Sequence, residues 1–168
     1  QMCREPHPRP SWIVCGAGTG GTSATIGRYL RYRRLPTRLC IAEPSGGAFA
    51  VGRRSRDPGS VASACSLVEG IGRPRVEPGF LFDVVDRVEE VDDVESIAAA
   101  WRLESLIGRR YGGSSGTNLV ACLRLAREMR DEGVQGSLVS LLCDRGDRYD
   151  ETLFDREWLA RQRIDLEA

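Results

Sequence analysis

Trp12-Ile13-Val14-Cys15-Gly16-Ala17-Gly18-Thr19-Gly20-Gly21-Thr22 decides how the rest of the chain is read. The first four residues form a continuous apolar run. It stops at glycine, the pattern of a strand buried on both faces of a parallel sheet. Five small or hydroxyl-bearing residues follow, and then Ser23 to Arg34 has helical composition. Ile26, Tyr29 and Leu30 are expected on its inward face. Arg31, Arg33 and Arg34 crowd the last turn, where cations suit the helix dipole, and Leu35-Pro36 ends it. Leu39-Cys40-Ile41-Ala42 reads as a second buried strand, closed by Glu43-Pro44. Residues 12–43 are therefore predicted to be a strand–helix–strand crossover.

Further along, residues 45–82 are rich in Gly, Ser, Pro and Arg and carry only short apolar pieces. Such a stretch inside a compact domain tends to be functional or mobile. Val84 to Val91 alternates weakly, as in a short strand. Asp92-x-x-Glu95 resembles a capping box, with a helix expected from Val94 to Ile107 and Ile97, Ala98, Trp101 and Leu106 inward. Gly112-Gly113-Ser114-Ser115-Gly116 is a second glycine turn. It opens a helix predicted over Thr117 to Glu132, with Leu119, Cys122, Leu123, Ala126 and Met129 on one face. Ser137 to Leu142 is a third buried strand, and 151–162 reads as helical. The order implies an α/β fold with a mainly parallel sheet flanked by helices.

Composition narrows the function. The chain has 168 residues, 41% apolar and 29% charged, ordinary for a soluble globular protein. No apolar run approaches the roughly 20 residues that span a bilayer. All 24 basic side chains are arginine, so a mechanism that draws a lysine amine from these residues is excluded. The 24 acids balance the arginines, but unevenly: residues 1–75 hold 12 arginines and 4 acids, residues 76–168 hold 12 arginines and 20 acids. A basic half can signal nucleic acid. Here the arginines are not interleaved with stacking aromatics, and the two halves are expected to interleave in space. The six cysteines, at 3, 15, 40, 65, 122 and 143, form no CxxC pair. The only histidine, His7, lies between prolines, so no zinc-like ligand set is visible. Cys15, Cys40 and Cys143 end apolar runs and are expected to be reduced and mostly buried, which suits the cytoplasm.

A glycine turn between a strand and a helix aims backbone N–H groups at one anion. Two ligands fit the first turn. Gly16, Gly18 and Gly21 satisfy G-x-G-x-x-G, and Glu43 ends the next strand where a dinucleotide fold places its ribose acid, which suggests NAD. Alternatively, Gly-Thr-Gly-Gly-Thr wraps a single phosphoryl group. The second turn favours the latter, since a cofactor with one phosphate and one ring nitrogen needs a hydroxyl from a second loop.

Four segments carry a family likeness: Gly18-Thr19-Gly20-Gly21-Thr22, Glu69-Gly70-Ile71-Gly72, Gly113-Ser114-Ser115-Gly116 and Asp144-Arg145-Gly146-Asp147-Arg148-Tyr149. In order and spacing they resemble the cysteine synthase and cystathionine β-synthase family of pyridoxal-phosphate enzymes, and most of all its actinobacterial cysteine desulfhydrase branch. The resemblance runs from about Ser11 to Trp158. It implies the C-terminal, larger lobe of a two-lobed, tryptophan-synthase-β-like enzyme of fold type II. It also implies β-elimination or β-replacement on cysteine or O-acetylserine, a cytoplasmic homodimer, and neither nucleic-acid nor membrane partners.

By the same resemblance, Gly18, Thr19, Gly20, Gly21 and Thr22 would hold the phosphate of pyridoxal 5'-phosphate. Ser114 would meet the pyridine nitrogen and Asp144 would border the ring, while Gly70, Ile71 and Gly72 would close over the substrate. The family often has proline where this chain has Cys143. No catalytic residue is assigned, because the family's Schiff-base lysine and its substrate-carboxylate loop lie upstream of the phosphate turn. No metal is expected. Residues 1–10 are expected to be a connector from an upstream lobe, 11–162 the cofactor lobe and 163–168 a frayed tail; Gln1-Met2-Cys3-Arg4-Glu5 reads as the end of a helix. Two alternatives remain: a nicotinamide-binding domain, and a non-catalytic partner domain that kept the phosphate cup.

Overall fold

The computed structural model describes residues 6–166, so the expected helix end at residues 1–5 lies outside the described residues. Strands β1 (Trp12–Gly16), β2 (Arg38–Pro44), β3 (Arg87–Val91) and β4 (Leu138–Ser140) form one sheet in the order β3-β2-β1-β4. Every pairing is parallel. Val14 stands opposite Cys40 on one side and Ser140 on the other. Parallel strands need crossovers and are covered on both faces. Val14, Leu39, Cys40, Ile41 and Ala42 are accordingly fully buried.

Helices α1 (Gly21–Tyr32) and α2 (Ala48–Ser55) lie on one face, α3 (Asp93–Ile107) and α4 (Gly113–Asp131) on the other. Short α5 (Arg156–Arg161) closes the chain. One core layer holds Leu30, Leu39, Ile41, Phe49, Phe80 and Val85; the other packs Trp12, Val14 and Cys40 against Ala121, Leu125 and Met129 of α4. A third cluster joins Ile97 and Ala100 to Tyr149, Leu153, Phe154 and Leu159, with Ile164 and Leu166 against it. α3 starts from the expected capping box of Asp92 and Glu95 and ends at left-handed Gly108. α3 and α4 touch closely at Gly116, where a Cβ would collide with the Ser96 carbonyl and with Ala100 N. Thr117 reinforces the contact by donating from Oγ1 to Ser96 Oγ at 2.9 Å.

Several details differ from the sequence reading. Residues 45–82 contain α2, which was masked by the glycines and arginines around it. Glu43 explains how so short a helix holds. Its buried carboxylate accepts N–H bonds from Phe49 at 2.9 Å and Ala50 at 2.7 Å, capping α2 from the preceding strand. The second glycine turn is not a linker before α4 but its first turn, because α4 begins at Gly113. The inward stripe of α4 is Ala121, Leu125 and Met129, while Leu123 is exposed. In α3 the inward set includes Ser96, Ala99 and Leu103, while Leu106 faces solvent. Tyr29 is exposed, with Arg33 over its ring. In the 151–162 stretch only Arg156–Arg161 is helical. Small side chains mark the tight helix interfaces, and an apolar-stripe argument passes over them.

Arginines of the first half pair with acids of the second: Arg31 with Asp86 (2.7 Å), Arg54 with Glu90 (3.0 Å), Arg56 with Asp83 (3.0 Å) and Arg73 with Glu77 (3.2 Å). The charge asymmetry along the sequence therefore cancels locally in space. Among the described residues, no helix is long and apolar enough to cross a membrane.

Candidate cofactor site

Both glycine turns lie at the carboxyl edge of the sheet, where α/β folds bind ligands. The first leaves β1 at Gly16. The second is tied to the chain leaving β4: Cys143 N–H donates to Ser115 Oγ at 2.9 Å, and Asn118 Nδ2 donates to Leu141 O at 3.1 Å. β1 and β4 are hydrogen-bonded neighbours, and Ser140 Oγ donates to Val14 O across them at 3.2 Å.

A third segment touches both turns. A Cβ on Gly16 would lie 2.7 Å from Ile71 Cγ2, one on Gly18 would lie 2.6 Å from Gly70 O, and one on Gly113 would lie 3.3 Å from Val68 Cγ1. Residues 68 to 71 span at most about 11 Å even when fully extended. One short segment therefore packs against both turns. Gly70 and Gly72, on either side of Ile71, both have left-handed backbone.

The first turn is built to present N–H groups. Gly20 precedes α1 with φ of 84° and no side-chain cap. A Cβ there would be strained and would lie 2.5 Å from Phe80 N, so only glycine fits. The amides of Gly21, Thr22 and Ser23 have no acceptor among the described residues. Ser23 Oγ donates to Gly20 O at 2.9 Å and holds the turn from beneath. Thr19, Gly21 and Thr22 are exposed. Gly79 and Phe80 pack against the turn from the other side, and Phe80 is itself stacked on Phe49 with centroids 4.2 Å apart. Uncapped amides at the positive end of a 12-residue helix can accept an anion.

The second turn is the opposite in character. Gly113, Ser114, Ser115 and Gly116 are all buried. Ser115 Oγ accepts from Cys143 N–H. The Ser114 hydroxyl has no hydrogen-bond partner among the described residues, although the residue is only 6% exposed. Asp144 lies beside this turn: its carbonyl accepts from Gly112 N–H at 3.0 Å, and its Oδ2 accepts from Tyr149 Oη at 2.6 Å. Burial, the Asp144 hydrogen bond and the charges of Asp144 and Glu69 push the Tyr149 phenol upward, against a lowering by Arg148. It is therefore a hydrogen-bond donor throughout the neutral range.

The residues fit pyridoxal phosphate: free amides and hydroxyls for a phosphate, and on the neighbouring turn an unpartnered hydroxyl, carried by a mostly buried residue, for a ring nitrogen. They do not fit NAD. Glu43 is only 1% exposed and both of its carboxylate oxygens cap α2, leaving none for a ribose. Its pKa is raised by burial, with the Phe49 and Ala50 hydrogen bonds opposing. No group of three or more His, Cys, Asp or Glu side chains that could hold a metal occurs among the described residues. Cys15 and Cys40 are buried and unpaired. Burial, together with nearby Cys143, pushes the Cys15 thiol up to about 12. Cys143, expected in the interior, is exposed, because β4 ends at Ser140 before reaching it. Sequence reading missed Tyr149 and Asp93 as organisers. Asp93 accepts from Ser66 Oγ and Leu67 N, both at 2.6 Å, and so tethers the 66–72 segment to α3.

The model of the family described as "Pyridoxal-phosphate dependent enzyme" matches residues 1–144, and the chain belongs to that family. It is 53% identical over 165 residues to the L-cysteine desulfhydrase Cds1 of Mycobacterium tuberculosis (strain ATCC 25177 / H37Ra), covering 98% of this chain and 45% of that protein. It is 31% identical over 168 residues to cysteine synthase 2 of Schizosaccharomyces pombe, covering 90% and 40%. It is 37% identical over 150 residues to an N-(2-amino-2-carboxyethyl)-L-glutamate synthase of Ralstonia nicotianae, covering 89% and 40%. The chain thus spans less than half the length of these relatives.

Proposed function

We propose that these residues form the phosphate- and ring-binding part of a pyridoxal-phosphate enzyme that performs β-elimination or β-replacement on cysteine or O-acetylserine. One observation carries this reading: the turn with three unpaired amides at the start of α1 and the turn with the unpartnered Ser114 hydroxyl lie at the same edge of the sheet, bridged by residues 68–71. The names of the relatives, a cysteine desulfhydrase and a cysteine synthase, support the substrate class.

When bound, the cofactor supplies an electron sink for negative charge at the substrate α-carbon. The chain does the rest by position. Gly18, Thr19, Gly20, Gly21 and Thr22 wrap the phosphate, and the helix dipole of α1 offsets its charge. Ser114 would offer the ring nitrogen a neutral hydroxyl. Asp144 borders the ring and is held in place by Tyr149. Gly70, Ile71 and Gly72 fold over the substrate and exclude water, which strengthens every polar interaction beneath them. The sequence holds no lysine, so any amine that would hold the cofactor is assigned to residues outside these 168. The reading includes a homodimer and a cytoplasmic location; the unpaired buried thiols of Cys15 and Cys40 suit the second.

The test is to assay the full-length protein for sulfide release from cysteine and for cysteine formation from O-acetylserine plus sulfide. Sulfide release that depends on added pyridoxal phosphate supports a desulfhydrase, and cysteine formation supports a synthase. Neither activity in a protein that binds the cofactor overturns the substrate assignment.

A further inference from the structure

The segment after β4 straps the start of α4 from outside. Gly146 N–H donates to Arg110 O at 3.0 Å, Tyr111 and Arg145 form an isolated antiparallel bridge, and Gly112 N–H donates to Asp144 O at 3.0 Å. Gly112 is wedged between two side chains of this strap. A Cβ there would run into Asp144 Oδ1 and would lie 2.8 Å from Tyr149 Cε2. Within the strap, the bond from Tyr149 Oη to Asp144 Oδ2 joins side chain to side chain and fixes which way the carboxylate points. Arg148, 4.0 Å from the same oxygen and largely exposed, holds it far less firmly.

We propose that Tyr149 is a positioning residue for the cofactor ring: its hydroxyl pins the Asp144 carboxylate against Gly112 and so fixes the turn that aims Ser114. The part of this that concerns the ring rests on the function proposed above; the pinning of the turn does not. The strap bonds the Gly112 N–H on one side of Ser114 and the Ser115 hydroxyl on the other and leaves the Ser114 hydroxyl free, the arrangement expected of a support for a ligand-facing group. A charge-assisted hydrogen bond of this length is among the stronger side-chain contacts available.

The experiment compares full-length wild-type protein with Tyr149→Phe, which removes one oxygen and keeps the ring against Gly112. Amide hydrogen exchange is read at Gly112 and Ser115, whose N–H groups donate to Asp144 O and Gly112 O, and, as an internal reference, at Ala24, whose N–H donates to Gly20 O. Affinity for pyridoxal phosphate and the fluorescence of the bound cofactor are read alongside. Losing a hydrogen bond to a carboxylate raises exchange at Gly112 and Ser115 by about tenfold. The reference amide stays unchanged, affinity falls by a similar factor, and the bound emission shifts. Unchanged exchange at Gly112 and Ser115 overturns the proposal, and so does an equal rise at Ala24, which marks a merely structural role. Should Tyr149→Phe fail to fold, Asp144→Asn replaces it; the neutral acceptor gives a smaller rise confined to the same turn, and wild-type exchange overturns the pinning. Wild-type protein that binds no pyridoxal phosphate defeats the cofactor reading instead, while the exchange measurement still decides the pinning.

Discussion

The two glycine turns look alike in sequence and behave oppositely in the fold. The turn before α1 is open. Its glycines let the chain come close and turn left-handed, its hydroxyls reach solvent, and three amides are unspent. The turn that begins α4 is closed. Its glycines let two helices and a strap press together, Ser115 Oγ accepts from Cys143 N–H, and the Ser114 hydroxyl bonds no described protein group. Glycine serves ligand access in one place and protein packing in the other. A single hydroxyl on a rigid base can be aimed; an array of amides can wrap.

Substitutions at the two turns should therefore fail differently. The largest effect is expected for Gly116→Val in α4. The new side chain meets backbone of α3 and not a movable side chain, so overpacking costs about 3 kcal/mol or more, read as a fall in the denaturation midpoint with or without cofactor. Gly20→Ala comes next. The left-handed backbone and the contact with Phe80 N cost about 1–3 kcal/mol, and phosphate affinity should fall more steeply than stability does. Equal losses in both would break the contrast. Thr117→Val, which keeps the shape and strands Ser96 Oγ, should cost about 1–2 kcal/mol in urea denaturation with no change in cofactor affinity.

Smaller effects sharpen the picture. Ser114→Ala should change stability by less than about 0.5 kcal/mol, since the hydroxyl bonds nothing in the protein, yet it should shift the absorbance of the bound cofactor. Glu43 supplies a pH test. Its folded pKa lies above the usual carboxylate value because burial disfavours the charge. Its contribution to stability is thus fully present below the unfolded value, near 4.5, and declines as pH rises through the raised folded value. The stability difference between wild type and Glu43→Gln should shrink over that range; a difference that grows with pH would contradict the assignment. Native thiol labelling should modify Cys65 and Cys143 before Cys15 and Cys40, following their exposure.

Much of this was readable in the sequence, and the reasons are physical. β1 and β2 are short unbroken apolar runs, and the register between them follows once both are buried. The turn before α1 announces itself as a candidate ligand loop because no tight turn requires five consecutive small or hydroxyl residues. α2 was hidden because its N-terminal cap, Glu43, belongs to the preceding strand, and a cap supplied from elsewhere leaves no local signature. The inward faces of α3 and α4 were misjudged because Ser96, Gly116 and Ala121 make the close contacts while Leu106 and Leu123 face solvent. The role of Tyr149 depends on Asp144 and Gly112 meeting in space, which spacing along the chain does not encode.

The most direct test is titration of isotope-labelled full-length protein with pyridoxal phosphate, following the backbone amides of Gly21, Thr22 and Ser23 together with that of Ser114. Both groups should shift along one saturable curve, with inorganic phosphate moving only the first. Movement of the first group alone with the cofactor, or of neither, would contradict a site shared by the two turns.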